Sequence, residues 1–253
     1  MLWRQVQPTN PFKAGYHNAS AASWGGNVMF EAGRYHLFVT QISQVCGLEK
    51  YGSNSEIARA ESADPAGPFA FKQVVRAPFA HNPTIRRLPK GGGFVIFFIG
   101  GNVVPLDKQA DCTKNTTPPT RPRHALATIH AIQADSILGP WTEPVPIEFT
   151  DGGSNTSIWT GGGSNPSPVI NLDGSVVLAL RREFRAAPSG TAGNKELLGV
   201  AQASSWRGPY TMITDRPVPP EMPGCIKGMG EECVASYPPL LQYCQPCVQR
   251  FPV

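Results

Sequence analysis

The sequence predicts an all-β chain assembled from repeated four-stranded antiparallel units, and three observations carry that expectation. A pattern ending Gly-Pro-aromatic occurs three times, as Ser62-Ala-Asp-Pro-Ala-Gly-Pro-Phe69, Asp135-Ser-Ile-Leu-Gly-Pro-Trp141 and Ser204-Ser-Trp-Arg-Gly-Pro-Tyr210. Its glycines, Gly67, Gly139 and Gly208, lie 72 and 69 residues apart, a period too long for helical hairpins and suited to a four-stranded sheet with long loops. The chain also carries 26 Gly and 26 Pro in 253 residues, a turn-rich composition, and no stretch shows clear helical periodicity. Together these read as a row of propeller blades.

Within each unit the elements follow one order. Glycine takes positive φ in the turn, and proline fixes φ near −65° and cannot donate to a ladder, so the aromatic after Gly-Pro opens an outer strand. The segments before the turn, Ile57-Ala-Arg-Ala-Glu61, Ala127-Thr-Ile-His-Ala-Ile132 and Leu198-Gly-Val-Ala-Gln-Ala203, have strand character. Earlier still come a hairpin turn and an apolar strand: Gly33-Arg-Tyr-His-Leu-Phe-Val39, Gly93-Phe-Val-Ile-Phe-Phe-Ile99 and Asp173-Gly-Ser-Val-Val-Leu-Ala-Leu180. The inner strand preceding that hairpin opens with Asn-Pro in the second and third units (His81-Asn82-Pro83 and Ser164-Asn165-Pro166) and with Trp24-Gly25-Gly26 in the first. The expected blades span 15–77, 78–150 and 160–220.

Composition narrows the function classes. Hydrophobic residues make up 41% of the chain, enough for a core, and the longest apolar run, Phe94 to Ile99, is too short to cross a bilayer. No membrane partner is expected. The net charge of +4 and the small basic clusters Arg121/Arg123 and Arg181/Arg182/Arg185 read as solvated loop faces, since no nucleic-acid-binding motif accompanies them. The first residues, Met1 to Pro8, lack the apolar stretch of a secretory signal, while Asn18, Asn115 and Asn155 each sit in a glycosylation sequon. An extracellular or secretory location therefore stays open.

After the third Gly-Pro-aromatic the pattern stops. Residues 221–253 are rich in Cys and Pro, hold Cys225, Cys233, Cys244 and Cys247, and alternate poorly, so a poorly ordered tail is expected. Cys244-Gln-Pro-Cys247 has metal or redox spacing, but Cys225 and Cys233 do not supply a second pair. Neither a metal nor a cofactor is expected, and a disulfide in this stretch stays open.

Taken in order, Trp24-Gly-Gly26, Gly33 to Phe38, Asn54-Ser-Glu-Ile-Ala-Arg-Ala-Glu-Ser62, Gly67-Pro-Phe69, His81-Asn-Pro83, Asn165-Pro-Ser-Pro168 and Asp173-Gly174 resemble the five-bladed propeller glycosidases of family 43 and relatives. The likeness covers roughly residues 15 to 220. It implies a five-bladed β-propeller type, all-β, of which about three blades are present here. It also implies a carbohydrate substrate, held where the inner strands begin, and an arabinanase or xylosidase type of chemistry on the O-glycosidic bonds of plant or algal polysaccharides. Three blades with about 30 residues left over suggest a truncated or diverged relative.

Such chemistry needs carboxyl groups, one to protonate the leaving oxygen and one to activate water or attack carbon. The inner stretches Asn18 to Met29, Pro78 to Arg86 and Gly162 to Ile170 contain no Asp or Glu. Asp64, Asp135 and Asp173 read as turn formers. Glu183, after Leu180-Arg-Arg, is the one acid at the end of a second strand with a route to the funnel; its other reading is an ion pair with Arg181 or Arg185. At the next inner strand, where such relatives place an acidic-Asp-Pro element, this chain has Glu231-Glu232-Cys233. The general acid, the general base or both are expected to be absent, which leaves activity open. Binding candidates are easier to defend. Trp24 offers a ring face to a sugar, His81 a donor or acceptor, Asn82 and Asn165 both kinds of group, and Arg181 a cation; the alternatives are ordinary packing and turn capping. A non-catalytic carbohydrate-binding propeller and a structural interaction propeller remain the competing readings.

Overall fold

The computed structural model describes residues 15–101, 105–114, 128–150, 159–184 and 195–213, without the side chains of 159–162, 183–184 and 195–197. The tail 221–253, with its four cysteines, lies outside the described residues.

Alternating hydrophobicity between Gly- and Pro-containing turns produces twelve strands among the described residues. They are β1 (Ser23–Glu31), β2 (Arg34–Ile42), β3 (Ser55–Ser62), β4 (Ala70–Arg76), β5 (Ala80–Arg87), β6 (Phe94–Gly100), β7 (Thr128–Ala134), β8 (Val145–Pro146), β9 (Trp159–Ile170), β10 (Val176–Phe184), β11 (Lys195–Ala203) and β12 (Thr211–Met212). Neighbours in sequence are neighbours in space, giving three four-stranded sheets ordered β1-β2-β3-β4, β5-β6-β7-β8 and β9-β10-β11-β12. The chain is all-β with three blade-type sheets, as the repeats predict.

The first hairpin closes on the Glu31–Arg34 pair, and the two residues between, Ala32 and Gly33, have φ of 49° and 75°. Positive φ at both central positions gives a turn whose twist matches that of the flanking strands. The third strand of every sheet ends in the same tight turn. The N–H groups of Gly67, Gly139 and Gly208 donate to the carbonyls of Asp64, Ser136 and Ser205 at 3.0, 2.9 and 3.0 Å. Their φ angles of +92°, +89° and +81° explain why glycine stands at this position each time. After the turn, a strand from outside the sheet pairs in parallel with the aromatic, Tyr16 with Phe69 and Phe149 with Tyr210.

The chain divides into two compact units, Met1–Ile85 with Gly100–Ala125, and Arg86–Ile99 with Leu126–Val253. In the second unit, Val95, Phe97, Ile129 and Ile147 share one core with Val176, Leu178, Leu180, Ala201 and Tyr210, while Ile170 and Met212 pack against its margin. In the first unit, the same register positions on β1 to β4 are held by Phe30, Tyr35, Leu37, Val39, Ala60 and Phe71, counted from the hairpin pair Glu31–Arg34 as Asn171–Ser175 is counted in the third sheet. Ala60 is fully buried, whereas Phe30 and Phe71 are 43% and 45% exposed. Equal chemistry at equal positions is thus covered throughout in one sheet and left half-exposed at Phe30 and Phe71 in the other.

That difference fixes a pair of stabilities. Leu178→Ala removes a side chain with no exposed surface and should cost about 2–5 kcal/mol, whereas Phe71→Ala should cost under about 1 kcal/mol. Denaturant unfolding of the two variants measures both.

Candidate functional site

The inner strands bend at a shared position. Gly25 on β1, Asn82 on β5 and Asn165 on β9 all stand six positions before their hairpin closing pair, with φ of 66°, 49° and 49°. Left-handed backbone suits glycine and is tolerated by asparagine better than by most residues. The ladder slips at the same places, between Trp24 and Gly26 on β1 and between Ala179 and Arg181 on β10, opposite Asn165. Such a bulge re-aims the side chain beside it. The re-aimed residues are Trp24, His81 and Ser164.

In the first unit two of these converge. The rings of Trp24 and His81 meet edge to face, with centroids 5.7 Å apart at 87°. Tyr51, from the helical turn Tyr51–Asn54 between β2 and β3, lies 5.3 Å from the His81 ring at 41°, and Phe79 stacks 6.4 Å away at 14°. His81 is 5% exposed and Trp24 is 52% exposed, so the cluster has a fixed floor and an open aromatic rim. Asn82 is seated beneath it. Its N–H donates to Thr40 Oγ1 at 2.8 Å, and its side chain fills the space that a Cβ on Gly25 would need. Asn27 anchors the strand further along, donating to Ile85 O at 3.2 Å and accepting the Ile85 N–H at 2.9 Å.

Hydrogen bonds fix the orientation of the His81 ring. Ser55 Oγ donates to Tyr51 O at 2.6 Å and lies 3.0 Å from His81 Nδ1. With its single proton spent on the carbonyl, Ser55 accepts from Nδ1–H. The cluster thus sets a buried polar ring beside an exposed indole face.

Asn165 and Arg181 belong to the second unit, where the register sets Arg181 opposite Ser164, as Thr40 stands opposite Trp24. Arg182, 1% exposed, lies 4.3 Å over the Phe149 ring. Glu183 stands on β10 opposite Thr160 and Glu196, and its side chain lies outside the described residues. The six residues singled out in the sequence therefore separate into Trp24, His81 and Asn82 in one unit and Asn165, Arg181 and Glu183 in the other.

Sequence reasoning gave no site role to Tyr51, Phe79 or Ser55; Ser55 stands in the Asn54–Ser62 motif, but nothing in that motif points it at His81. It also passed over Glu56. Glu56 follows Ser55 on β3, so its side chain leaves the opposite face of the sheet. There Gln41 Nε2 donates to Glu56 Oε1 at 2.6 Å, and Gln41 Oε1 accepts from Tyr16 OH at 2.7 Å and from Asn18 Nδ2 at 3.3 Å. Burial raises the Glu56 carboxyl above its ordinary range, opposed in part by the Gln41 hydrogen bond. Asp64 and Asp173 accept backbone N–H groups of Ala66 and Ser175 at 2.8 and 2.9 Å. Among the described residues no cluster of three His, Cys, Asp or Glu could hold a metal ion, and no helix is long and apolar enough to cross a membrane.

With this geometry in hand, comparison with solved structures places the fold. A family 117 glycoside hydrolase of the marine bacterium Zobellia galactanivorans superposes with a TM-score of 0.52 at 16% identity, covering 77% of this chain and 56% of that one. The fold is that of glycoside-hydrolase propellers. A thermostable family-43 glycoside hydrolase gives a TM-score of 0.49 at 17% identity over 78% of this chain and 55% of its own, and RS223-β-xylosidase gives 0.48 at 16% over 79% and 58%. The chain thus spans little more than half the length of these proteins. No protein-family profile matches it, and no curated protein matches it in sequence. The glycoside-hydrolase propeller fold that the motif resemblance implies is borne out at the level of fold.

Two substitutions test the local geometry. Gly25→Ala should destabilise the first unit by about 1–3 kcal/mol, because alanine strains at positive φ and collides with Asn82; thermal melts of the variant give the loss. Glu56 binds its proton more tightly folded than unfolded, so its contribution falls as pH rises from the unfolded carboxyl pKa through the raised folded one. Glu56→Gln should therefore gain stability relative to wild type as pH is raised from about 4 to 7, read from denaturation midpoints across that range.

Proposed function

We propose that this chain is a glycosidase-type propeller whose first unit binds carbohydrate through Trp24, Tyr51 and His81. The observation that carries the reading is the pairing of the exposed Trp24 ring with the buried imidazole of His81, held by Ser55. Sugar rings present a carbon–hydrogen face that packs on an indole and hydroxyls that need directional partners, and this cluster offers both. The likeness of fold to a glycoside hydrolase supports carbohydrate as the ligand class. Asn165 and Arg181, at the matching kink of the third sheet, offer amide and guanidinium donors to the same kind of ligand.

Binding is favoured over turnover by the arrangement of the acids. Hydrolysis by two carboxyl groups requires them within about 5–10 Å of each other across the scissile bond. Glu56 leaves the face of β3 opposite to Ser55 and His81, and Asp64 and Asp173 are committed to turns. Of the inner strands that carry the aromatic cluster, β5 has no carboxylate and β1 has only Glu31, at its hairpin end, seven residues from Trp24. A nucleic-acid or membrane partner has no support from charge pattern or apolar length.

Titration with arabino- and xylo-oligosaccharides, followed by tryptophan fluorescence, tests the reading. Wild type should bind and quench or enhance Trp24 emission. Trp24→Ala should weaken binding by at least about tenfold, equivalent to about 1.4 kcal/mol, without lowering the melting temperature. A panel of aryl arabinofuranosides, xylosides and galactosides, run in parallel, should show no turnover; saturable hydrolysis would assign catalysis to this chain, and absence of any sugar binding would sink the proposal.

A further inference from the structure

Tyr51 stands on a helical turn only four residues long, which has too few internal hydrogen bonds to hold its own position. Its placement over His81 has to come from outside the turn. The next loop of the same unit, residues 105–114, supplies the anchor. Asn54, fully buried at the end of the turn, donates from Nδ2 to Ala110 O at 2.8 Å and accepts the Ala110 N–H at Oδ1 at 3.0 Å. The pair of bonds copies one rung of a β-ladder between a side chain and a backbone. Ser43 Oγ donates to Gln109 Oε1 at 3.1 Å, and the Cys112 N–H donates to Gln44 O at 3.3 Å. A disulfide between Cys46 and Cys112 fastens the two loops across 66 residues of sequence, over a small core of Ile42, Cys46 and Ala110.

We propose that loop 105–114, fastened by the Cys46–Cys112 bridge and by Asn54, is the positioning element that sets Tyr51 over His81 and so fixes one wall of the recognition cluster. The inference rests on the carbohydrate-binding reading only for what the wall recognises. The chain of contact is continuous: Cys112 and Ala110 hold Cys46 and Asn54, Asn54 ends the turn that begins at Tyr51, and the Tyr51 carbonyl orders Ser55, which orders His81 Nδ1. Tyr51 then contacts ligand, whereas Asn54, Cys46 and Cys112 act through it. Both faces of the imidazole are governed in this way, its hydrogen bond through Ser55 and its ring contact through Tyr51. A disulfide in this position also ties full affinity to an oxidising environment.

The test uses the whole chain with Cys112→Ser, which opens the bridge and leaves Cys46 buried in place, and Cys46→Ser/Cys112→Ser as a second variant. Histidine-selective isotope labelling reports the ring carbon–hydrogen resonance of His81, assigned by its loss in His81→Gln. Backbone hydrogen exchange reports residues 47–55. Both variants should move the His81 resonance toward its position in Tyr51→Ala and should lower protection of 47–55 at least tenfold, with the His36 resonance, which lies in a separate hydrogen-bond network, unchanged. Oligosaccharide affinity should fall at least fivefold. A lowered melting temperature with the His81 resonance and the 47–55 protection unchanged would make the bridge a staple only and overturn the proposal, as would failure of both variants to fold. If wild type binds no sugar, the functional reading fails while the His81 and exchange measurements still decide the positioning role.

Discussion

Left-handed backbone at one shared position of the inner strands, Gly25, Asn82 and Asn165, is the constraint on which the site depends. A regular antiparallel strand sends successive side chains to opposite faces of the sheet, so an uninterrupted β1 or β5 would commit Trp24 and His81 to blade packing. The turn of φ at Gly25 and Asn82 breaks that alternation and leaves the two residues aimed at each other. The cost of positive φ is held down by residue choice. Glycine pays none of the Cβ penalty, and asparagine pays less than other residues because its short amide can bond locally. The kinks are also coupled, since the absence of a side chain at Gly25 is what admits the side chain of Asn82.

Fixing the kink in space requires more than local preference. Asn27 bonds both the N–H and the carbonyl of Ile85, and Thr40 accepts the N–H of Asn82, so the first half of β5 is registered on the first sheet by side chains acting as substitute backbone. Directional bonds of this type have little net value each, about 1 kcal/mol, yet leaving such groups buried and unpaired costs more, which makes the register selective. The outcome is an imidazole of fixed orientation, its Nδ1 committed to Ser55 and its ring held among Trp24, Tyr51 and Phe79.

The first sheet shows how one blade pattern serves two surroundings. Tyr35, Leu37 and Val39 occupy the register positions that Val176, Leu178 and Leu180 hold in the third sheet, yet the latter three are almost fully buried while Phe30 and Phe71 beside the former remain about half-exposed. Polar residues share that face with them. Gln41, itself buried, spans Tyr16, Asn18 and Glu56, and partial burial raises the Glu56 carboxyl.

The repeats, their spacing and the order of elements within each unit were determined by the sequence alone, because Gly-Pro turns, hairpin glycines and period-two apolar runs act over a few residues. Trp24, His81 and Asn82 were legible for the same reason, since each stands beside a local signal, Gly-Gly or Asn-Pro, that bends an inner strand. Other parts had no local signal. The metal-like cysteine spacing lies in the tail, whereas the bridge joins Cys46 to Cys112 across 66 residues, a pairing that spacing does not encode. Tyr51 belongs to a connection without a motif, and Asn54 and Ser55 open the Asn54–Ser62 motif without any local sign of their partners; the roles of all three arise from contacts with His81 and Ala110 far along the chain. Glu56 looked like one polar residue of an alternating strand; only the pairing with Gln41 and the burial of that corner gave its carboxyl a distinct environment. Short-range backbone chemistry thus decided which elements form and where they bend, and tertiary packing decided which side chains meet, since contact between residues distant in sequence depends on sheet register and loop anchoring that no local pattern contains.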